Sequence, residues 1–154
     1  MKKIPLRNRN SRIVGWALID DSDYEWVMQW RWCLGGSRNK YARRRGFYLH
    51  RVLLGVTSLE LEVDHKDGNT LNCQRSNLRT IPHNAQPQNV SGHGKSKFRG
   101  VHWIKERGKW RASVGHDKKK TFLGYFDDEV EAGKVAAAFR AKVLPYSREA
   151  LEIP

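Results

Sequence analysis

Val63-Asp64-His65-Lys66-Asp67-Gly68-Asn69, together with Asn77-Leu78-Arg79 downstream, gives the clearest indication of how this chain folds. A short apolar run ends in an Asp-His pair, a polar Asp-Gly-Asn turn follows, and an Asn then leads a second short apolar run. This pattern predicts a β-hairpin in which residues 62–65 pair antiparallel with residues 77–81. The hairpin would hold a carboxylate and an imidazole side by side at its rim.

The Asp-His pair suits the hydrolysis of a phosphodiester. That reaction needs an activated water, neutralisation of charge in the transition state, and help for the leaving oxygen. His65 suits the first requirement because imidazole accepts a proton near neutral pH. Asp64 suits the other two by holding a hard divalent cation, Mg²⁺ or Mn²⁺, one per active site. We expect Asn77 to bond across the hairpin loop and so to fix the orientation of His65.

The charge of the chain favours nucleic acid as its partner. Its 154 residues carry a formal net charge of +13, which selects DNA first and an anionic membrane second. No apolar stretch approaches the roughly 20 residues of a spanning helix, and Arg7 and Arg9 interrupt any signal-like start. We therefore predict a cytoplasmic protein that binds double-stranded DNA and no membrane, as a monomer or weak dimer. Cys33 and Cys73 lack flanking histidines at zinc-site spacing, which predicts two reduced, unpaired thiols.

We predict an α+β fold in three segments joined by one linker. Residues 1–47 form a small β-rich leader, and residues 48–90 contain the hairpin. Residues 91–97 are small, basic and without apolar side chains, which is typical of a flexible linker. Residues 98–154 are expected to form a three-stranded antiparallel sheet packed on one helix.

Shorter patterns place the elements around the hairpin. The run Ile13–Ile19 reads as a strand, and the acidic turn after it as the start of a short helix. A second short helix is expected over Leu49–Gly55. Pro82 is expected to begin a third helix, because Pro is well tolerated in a first helical turn.

The last segment has the clearest alternation of strands and turns. Its three strands are predicted over residues 99–105, 110–115 and 121–126. Asp127 is expected to cap the helix that follows. The side chains predicted to form the buried stripe of this helix are Ala132, Val135, Ala136, Phe139 and Val143.

The middle segment resembles the HNH endonucleases, a family with the ββα-metal fold. The similarity is carried, in order, by His50-Arg51, Val63-Asp64-His65-Lys66-Asp67-Gly68-Asn69, Leu71-Asn72 and Asn77-Leu78-Arg79. The resemblance implies that His65 is the general base, that Asp64 is a metal ligand and that Asn77 supports His65.

The resemblance also implies a metal ligand on the helix after the hairpin, nine residues beyond the Asn. The family has His or Asn there, whereas this chain has Gln86, whose amide oxygen can bind a hard metal through a longer arm. Asn84 and Asn89 are alternative ligands. The implied function is a metal-dependent DNA endonuclease of homing type, and the alternative is an impaired remnant that binds DNA with sequence preference.

The outer segments carry resemblances of their own. The leader contains Ile4-Pro5-Leu6, Ala17-Leu18-Ile19-Asp20-Asp21, Asp23-Tyr24 and Trp30. Through these residues it looks like the leader of phage and bacterial HNH proteins. The last segment resembles the APETALA2-type DNA-binding domain of plant ethylene-response factors, and the carriers are Phe98-Arg99-Gly100-Val101, Gly108-Lys109-Trp110, Leu123-Gly124-Tyr125-Phe126-Asp127 and Glu131-Ala132. This similarity implies a sheet that lies in the major groove with a helix behind it.

These resemblances and the basic pattern together select the side chains expected to contact DNA. They are His50, Arg51, Arg79, Arg99, His102, Lys105, Arg107, Arg111, Ser113, Lys118 and Lys120.

Overall fold

The computed structural model describes residues 1–36, 40–83 and 95–151. The chain divides into two compact units, Met1–Gln86 and Pro87–Pro154. Both combine a β-sheet with short helices, so the predicted α+β class is confirmed. Within the described ranges, none of the helices has the length and apolar character needed to span a membrane.

The first unit is built on a five-stranded sheet in the order β2-β1-β3-β4-β5. Its strands are β1 (Lys2–Arg7), β2 (Ile13–Ile19), β3 (Trp32–Gly35), β4 (Tyr41–Arg44) and β5 (Phe47–Tyr48), and its helices are α1 (Tyr24–Met28) and α2 (Leu49–Leu53). The predicted strand β2 and both short helices are confirmed. Strand β1 was not predicted, and it pairs antiparallel with β2 and parallel with β3.

The predicted hairpin is also confirmed. Strands β6 (Leu61–His65) and β7 (Leu78–Pro82) pair antiparallel, with Asp64 opposite Arg79. Pro82 is the last residue of β7, so the prediction that it begins a helix is wrong. A proline is tolerated at the end of an edge strand, because its missing N–H there costs the sheet no hydrogen bond. Most of the helix predicted after it falls on residues 84–90, which lie outside the described residues.

One apolar core serves the leader and the hairpin together. It combines buried side chains from the sheet, from both helices and from the hairpin, among them Ile4, Ile19, Val27, Leu49, Val63, Cys73 and Leu78. The backbone of β2 also joins the loop between β6 and β7: Leu18 N donates to Leu71 O and Cys73 N donates to Leu18 O, each at 2.8 Å. The division of the chain into four parts stays a prediction.

The second unit is a three-stranded antiparallel sheet packed on a helix, as predicted. Its elements are β8 (Val101–Ile104), β9 (Lys109–His116), β10 (Lys119–Phe126), α3 (Glu129–Val143) and α4 (Arg148–Leu151), with the sheet order β10-β9-β8. The helix cap lies one residue later than predicted, because Asp128 rather than Asp127 accepts a bond from Glu131 N, at 2.8 Å.

Helix α3 buries a different set of side chains from the predicted stripe. Ala132 and Ala136 are buried as expected, while Val135, Phe139 and Val143 are only half-buried. Arg140 is buried instead. Its guanidinium donates to Glu149 Oε1 at 2.7 Å and to Arg99 O at 2.6 Å, so the charge is paired where it is desolvated.

Candidate active site

The end of β6 places a carboxylate and an imidazole in a desolvated environment. Asp64 is 6% exposed and His65 is 4% exposed. The apolar strand before them packs into the core through Val63, which explains why both polar side chains are carried below the surface. Charged groups are rarely buried to this degree unless they are paired.

His65 lies in a cluster of aromatic rings and a thiol. Its ring centroid is 5.0 Å from that of His50, in an edge-on arrangement, and 6.2 Å from that of Tyr41. The Sγ atom of Cys73 lies 3.9 Å from His65 Nε2. The sequence did not single out Tyr41 or Cys73 as site residues. Only the position of Cys73, directly after the Leu71-Asn72 pair, offered a signal.

Burial keeps His50, His65 and Cys73 uncharged near neutral pH. Desolvation lowers the pKa of His65, and the charges of Asp64 and Asp67 oppose that effect only in part. Desolvation, followed by the charges of His65 and Arg51, lowers the pKa of His50 to about 3. Burial likewise raises the pKa of Cys73 to about 12, so it stays a thiol. A neutral imidazole is the form that can accept a proton.

Asp64 forms an ion pair with its cross-strand neighbour. The Nε and Nη2 atoms of Arg79 donate to Asp64 Oδ2 at 2.9 and 2.7 Å. Arg79 was predicted to contact DNA, and in this structure its guanidinium is held by the carboxylate predicted to bind a metal.

Asn77 ties the loop that follows His65, as its predicted position implied. Its side-chain oxygen accepts from Asp67 N at 3.0 Å, and its Nδ2 donates to Asp67 Oδ1 at 3.0 Å and to Asn72 O at 2.8 Å. Asp67 Oδ1 also accepts from Asn69 N at 2.8 Å, and Gly68 supplies the positive φ of 72° that the turn requires. Asn77 therefore acts on the loop next to His65, not on the imidazole itself.

Two of the predicted DNA contacts serve the interior of the first unit. His50 is 6% exposed and packs against His65 and Tyr48, and its contact with DNA stays a prediction. Arg51 donates to Leu61 O at 2.8 Å and to Ser58 O at 2.5 Å, so its guanidinium holds the loop that leads into β6. The short helix α2 turns His50 toward the core and leaves Arg51 half-buried at the groove between α1 and α2.

The predicted metal ligands lie partly beyond the described ranges. Asp64 supplies a hard carboxylate oxygen of the kind that Mg²⁺ and Mn²⁺ prefer. Gln86, Asn84 and Asn89 lie outside the described residues. Among the side chains that are described, no group of three or more His, Cys, Asp or Glu is arranged to hold a metal ion.

The predicted contacts of the second unit fall into three classes of exposure. His102, Lys105, Arg107, Lys118 and Lys120 are exposed, and Arg99 and Arg111 are half-buried. Ser113 is 2% exposed, so its hydroxyl does not reach the surface of the sheet. A cavity of about 200 Å³ brings four of the predicted residues together, namely Arg99, His102, Ser113 and Lys120.

Comparison with protein families gives one match, to the HNH endonuclease family over residues 59–87. The matched segment is a short part of the 154-residue chain, and it spans the hairpin with Asp64, His65, Asn77 and Arg79. Comparisons with curated proteins and with solved structures gave no match. The family match supports a nuclease that acts on DNA.

Proposed function

We propose that this chain is a metal-dependent DNA endonuclease of homing type, which hydrolyses phosphodiester bonds. One observation carries the proposal: the segment that matches the HNH endonuclease family is the hairpin that buries His65 beside Asp64. Because burial lowers the pKa of His65, its imidazole is neutral at neutral pH, which is the form that accepts a proton.

His65 is the proposed general base. Its imidazole is neutral near pH 7 and takes the proton of the attacking water. Asn77 is the proposed positioning residue. Its three hydrogen bonds to Asp67 and Asn72 fix the loop that directly follows His65. Tyr41, His50 and Cys73 hold the imidazole in place and exclude water from its buried side.

Asp64 and Gln86 are the proposed metal ligands, with Asn84 and Asn89 as alternatives to Gln86. When bound, Mg²⁺ or Mn²⁺ would neutralise charge on the phosphate and stabilise the leaving oxygen. Arg79 occupies the Oδ2 atom of Asp64, so loading the site requires its guanidinium to move or to share the carboxylate. A released Arg79 would be available to a phosphate oxygen.

Recognition of the target site is assigned to the sheet of the second unit, lying in the major groove of double-stranded DNA. Its exposed basic side chains lie on the strands and in the turns that join them, and strands can read that groove. Because cationic contacts to phosphates release counterions, binding should weaken steeply as salt is added.

The test is cleavage of supercoiled plasmid at low salt with Mg²⁺, with Mn²⁺ and with excess EDTA. We expect conversion to nicked or linear DNA that requires metal. His65→Ala should abolish this conversion and keep the mobility shift of bound DNA. His116→Ala, a histidine outside the predicted site and the predicted DNA contacts, should still cut. Cutting by His65→Ala at the wild-type rate would exclude the assigned base.

A second candidate function is a DNA-binding protein whose nuclease site is impaired. The Asp64–Arg79 ion pair favours it, because a cation must compete with a guanidinium for the carboxylate. Gln86→Asn, which restores a ligand type of the HNH family, separates the two candidates. If the wild type does not cleave DNA and the Gln86→Asn variant does, the nuclease site of the wild type is impaired. Cleavage by the wild type would exclude this second candidate.

A further inference from the structure

A large aromatic groove lies in the first unit, outside the hairpin that carries Asp64 and His65. Its volume is about 750 Å³, within the range of ligand-binding sites. It opens between helices α1 and α2 and the turn from β4 to β5. The aromatic side chains that line it are Trp26, Trp30, Trp32, Phe47 and Tyr48. None of them is used by the proposed hydrolysis.

Two aromatic rings at the mouth of this groove, Trp30 and Phe47, are exposed to solvent instead of being packed in the core. Trp32 forms the floor and is fixed, since its ring N–H donates to Val27 O at 3.0 Å. Phe47 is 64% exposed and Trp30 is 42% exposed. Contiguous exposed apolar surface of this kind marks a binding site more often than it marks a plain surface.

The rim of the groove is cationic. The guanidinium of Arg44 lies 4.1 Å from the centroid of the Trp30 ring. Arg51 lines the same groove, with its guanidinium bonded to Leu61 O and Ser58 O and 3.7 Å from Glu62, so Arg44 is the cation placed to meet a phosphate. Among the described residues that line it, none is acidic. Flat rings beside guanidinium groups match an unpaired nucleotide, whose base stacks on aromatic faces and whose phosphate pairs with arginine.

Two ring contacts connect the wall of the groove with the candidate active site. Tyr48 lines the groove and stacks on His50 with ring centroids 5.5 Å apart, and His50 in turn contacts His65. Arg51 reaches from the groove to Leu61 O, at the first residue of β6. A DNA strand held against Tyr48 would therefore be separated from the proposed general base, His65, by the ring of His50.

We infer that this groove binds unpaired bases of DNA next to the phosphate that is cut. The inference rests on the proposed function for its substrate, and it goes beyond that function by giving the enzyme a preference for locally opened DNA. Stacking on Trp30 and Phe47 compensates for the base pairs lost when the duplex opens. An uncharged peptide would use the rings and leave the cationic rim without a partner.

The test measures binding of the full chain in EDTA, where no cleavage occurs. Two labelled duplexes are compared by fluorescence anisotropy, one fully paired and one with a short unpaired bubble. Phe47→Ala and Trp30→Ala should each weaken binding of the bubble about 10-fold, because stacking on one ring contributes roughly that factor. Binding of the paired duplex should change less than about 2-fold. Trp16→Ala, an equally exposed ring outside the groove, is the matched control and should change neither.

Phe47→Leu separates base stacking from simple apolar contact. It keeps much of the side-chain volume and removes the flat ring, so it should also weaken binding of the bubble. Equal losses on both duplexes, no loss in either groove variant, or tighter binding of an RNA bubble of the same sequence would overturn the inference. A protein that prefers the bubble and cuts nothing would refute the nuclease and leave the groove assignment standing.

Discussion

The carboxylate of Asp64 and the guanidinium of Arg79 form a nearly buried ion pair between directly opposed residues of β6 and β7. Both hydrogen bonds end on Oδ2 of Asp64, at 2.9 and 2.7 Å. A buried charge depends on its partner because desolvation is costly. The pair therefore stabilises the hairpin and at the same time competes with any cation for that oxygen.

Arg79→Ala should destabilise the first unit and strengthen its response to metal. We expect the free energy of unfolding to fall by about 3 kcal/mol, since the variant leaves a buried carboxylate without its guanidinium partner. Mg²⁺ should then raise the unfolding temperature more than it does in the wild type, because it binds the native state without a competitor. Thermal unfolding with Mg²⁺ and with EDTA measures both effects.

Arg75→Ala is the matched control, since it breaks the pair with Asp23 elsewhere in the same unit. Its response to Mg²⁺ should equal that of the wild type. An Arg79→Ala variant as stable as the wild type, with an unchanged response to metal, would contradict the proposed competition.

Asn77→Asp should weaken the loop that follows His65. The substitution removes the Nδ2 donor to Asp67 and Asn72 and sets a second carboxylate against Asp67. We expect a loss of about 2 kcal/mol in unfolding free energy, from the lost bonds and the unsatisfied partners, and a fall in cleavage rate of at least about 10-fold. Urea unfolding and plasmid cleavage measure the two effects. Asn10→Asp, an exposed change of the same type, should leave both unchanged.

The first unit should lose stability as the pH falls from 7 to 5. The folded pKa of His50 is lowered to about 3 by burial first and then by His65 and Arg51, while the unfolded value is about 6.5. Between these values the unfolded chain binds a proton that the folded chain does not, so stability rises with pH. His50 alone should contribute a loss of about 2 kcal/mol at pH 5 relative to pH 7.

Urea unfolding at a series of pH values checks this prediction. His50→Phe should flatten the dependence, and the exposed His102→Gln should not alter it. If wild type and His50→Phe show the same slope, the buried imidazole does not titrate as described.

Gly133→Ala should destabilise the second unit although alanine favours helices. A Cβ at this position of α3 would lie 2.5 Å from Cγ of Phe98. Overpacking of this kind costs about 1–3 kcal/mol, more than the roughly 1 kcal/mol gained in helix propensity. Thermal unfolding followed by circular dichroism measures the change, with the exposed Lys134→Ala as control. A more stable Gly133→Ala would show that α3 can move away from the sheet.

The sequence predicted the strands that are bounded by clear turn residues. The β6–β7 hairpin follows from an Asp-Gly-Asn turn between two apolar runs, and the three strands of the second unit follow from their turns. Strand β1 was missed although its antiparallel pairing with β2 is local, because Lys2, Lys3 and Arg7 flank its apolar residues and Pro5 interrupts them.

The side chains that the sequence misplaced are polar groups buried by tertiary contacts. The resemblance to the HNH family suggested a DNA contact for His50, whereas in the structure α2 turns it onto His65. Arg140 lies in the last turn of α3, where a cation suits the helix dipole, and only Glu149 and Arg99 O explain its burial. Such partners come from distant positions that no local pattern reports.

The backbone bridge from Leu18 to the loop at residues 71–73 has a consequence for protein engineering. Leu71 O and Cys73 N take their hydrogen bonds from a strand more than fifty positions earlier. A graft that carried the hairpin alone into another scaffold would leave both groups without partners and would strip Cys73 and Leu78 of their core. The transplantable cassette therefore has to include β2 and the sheet around it.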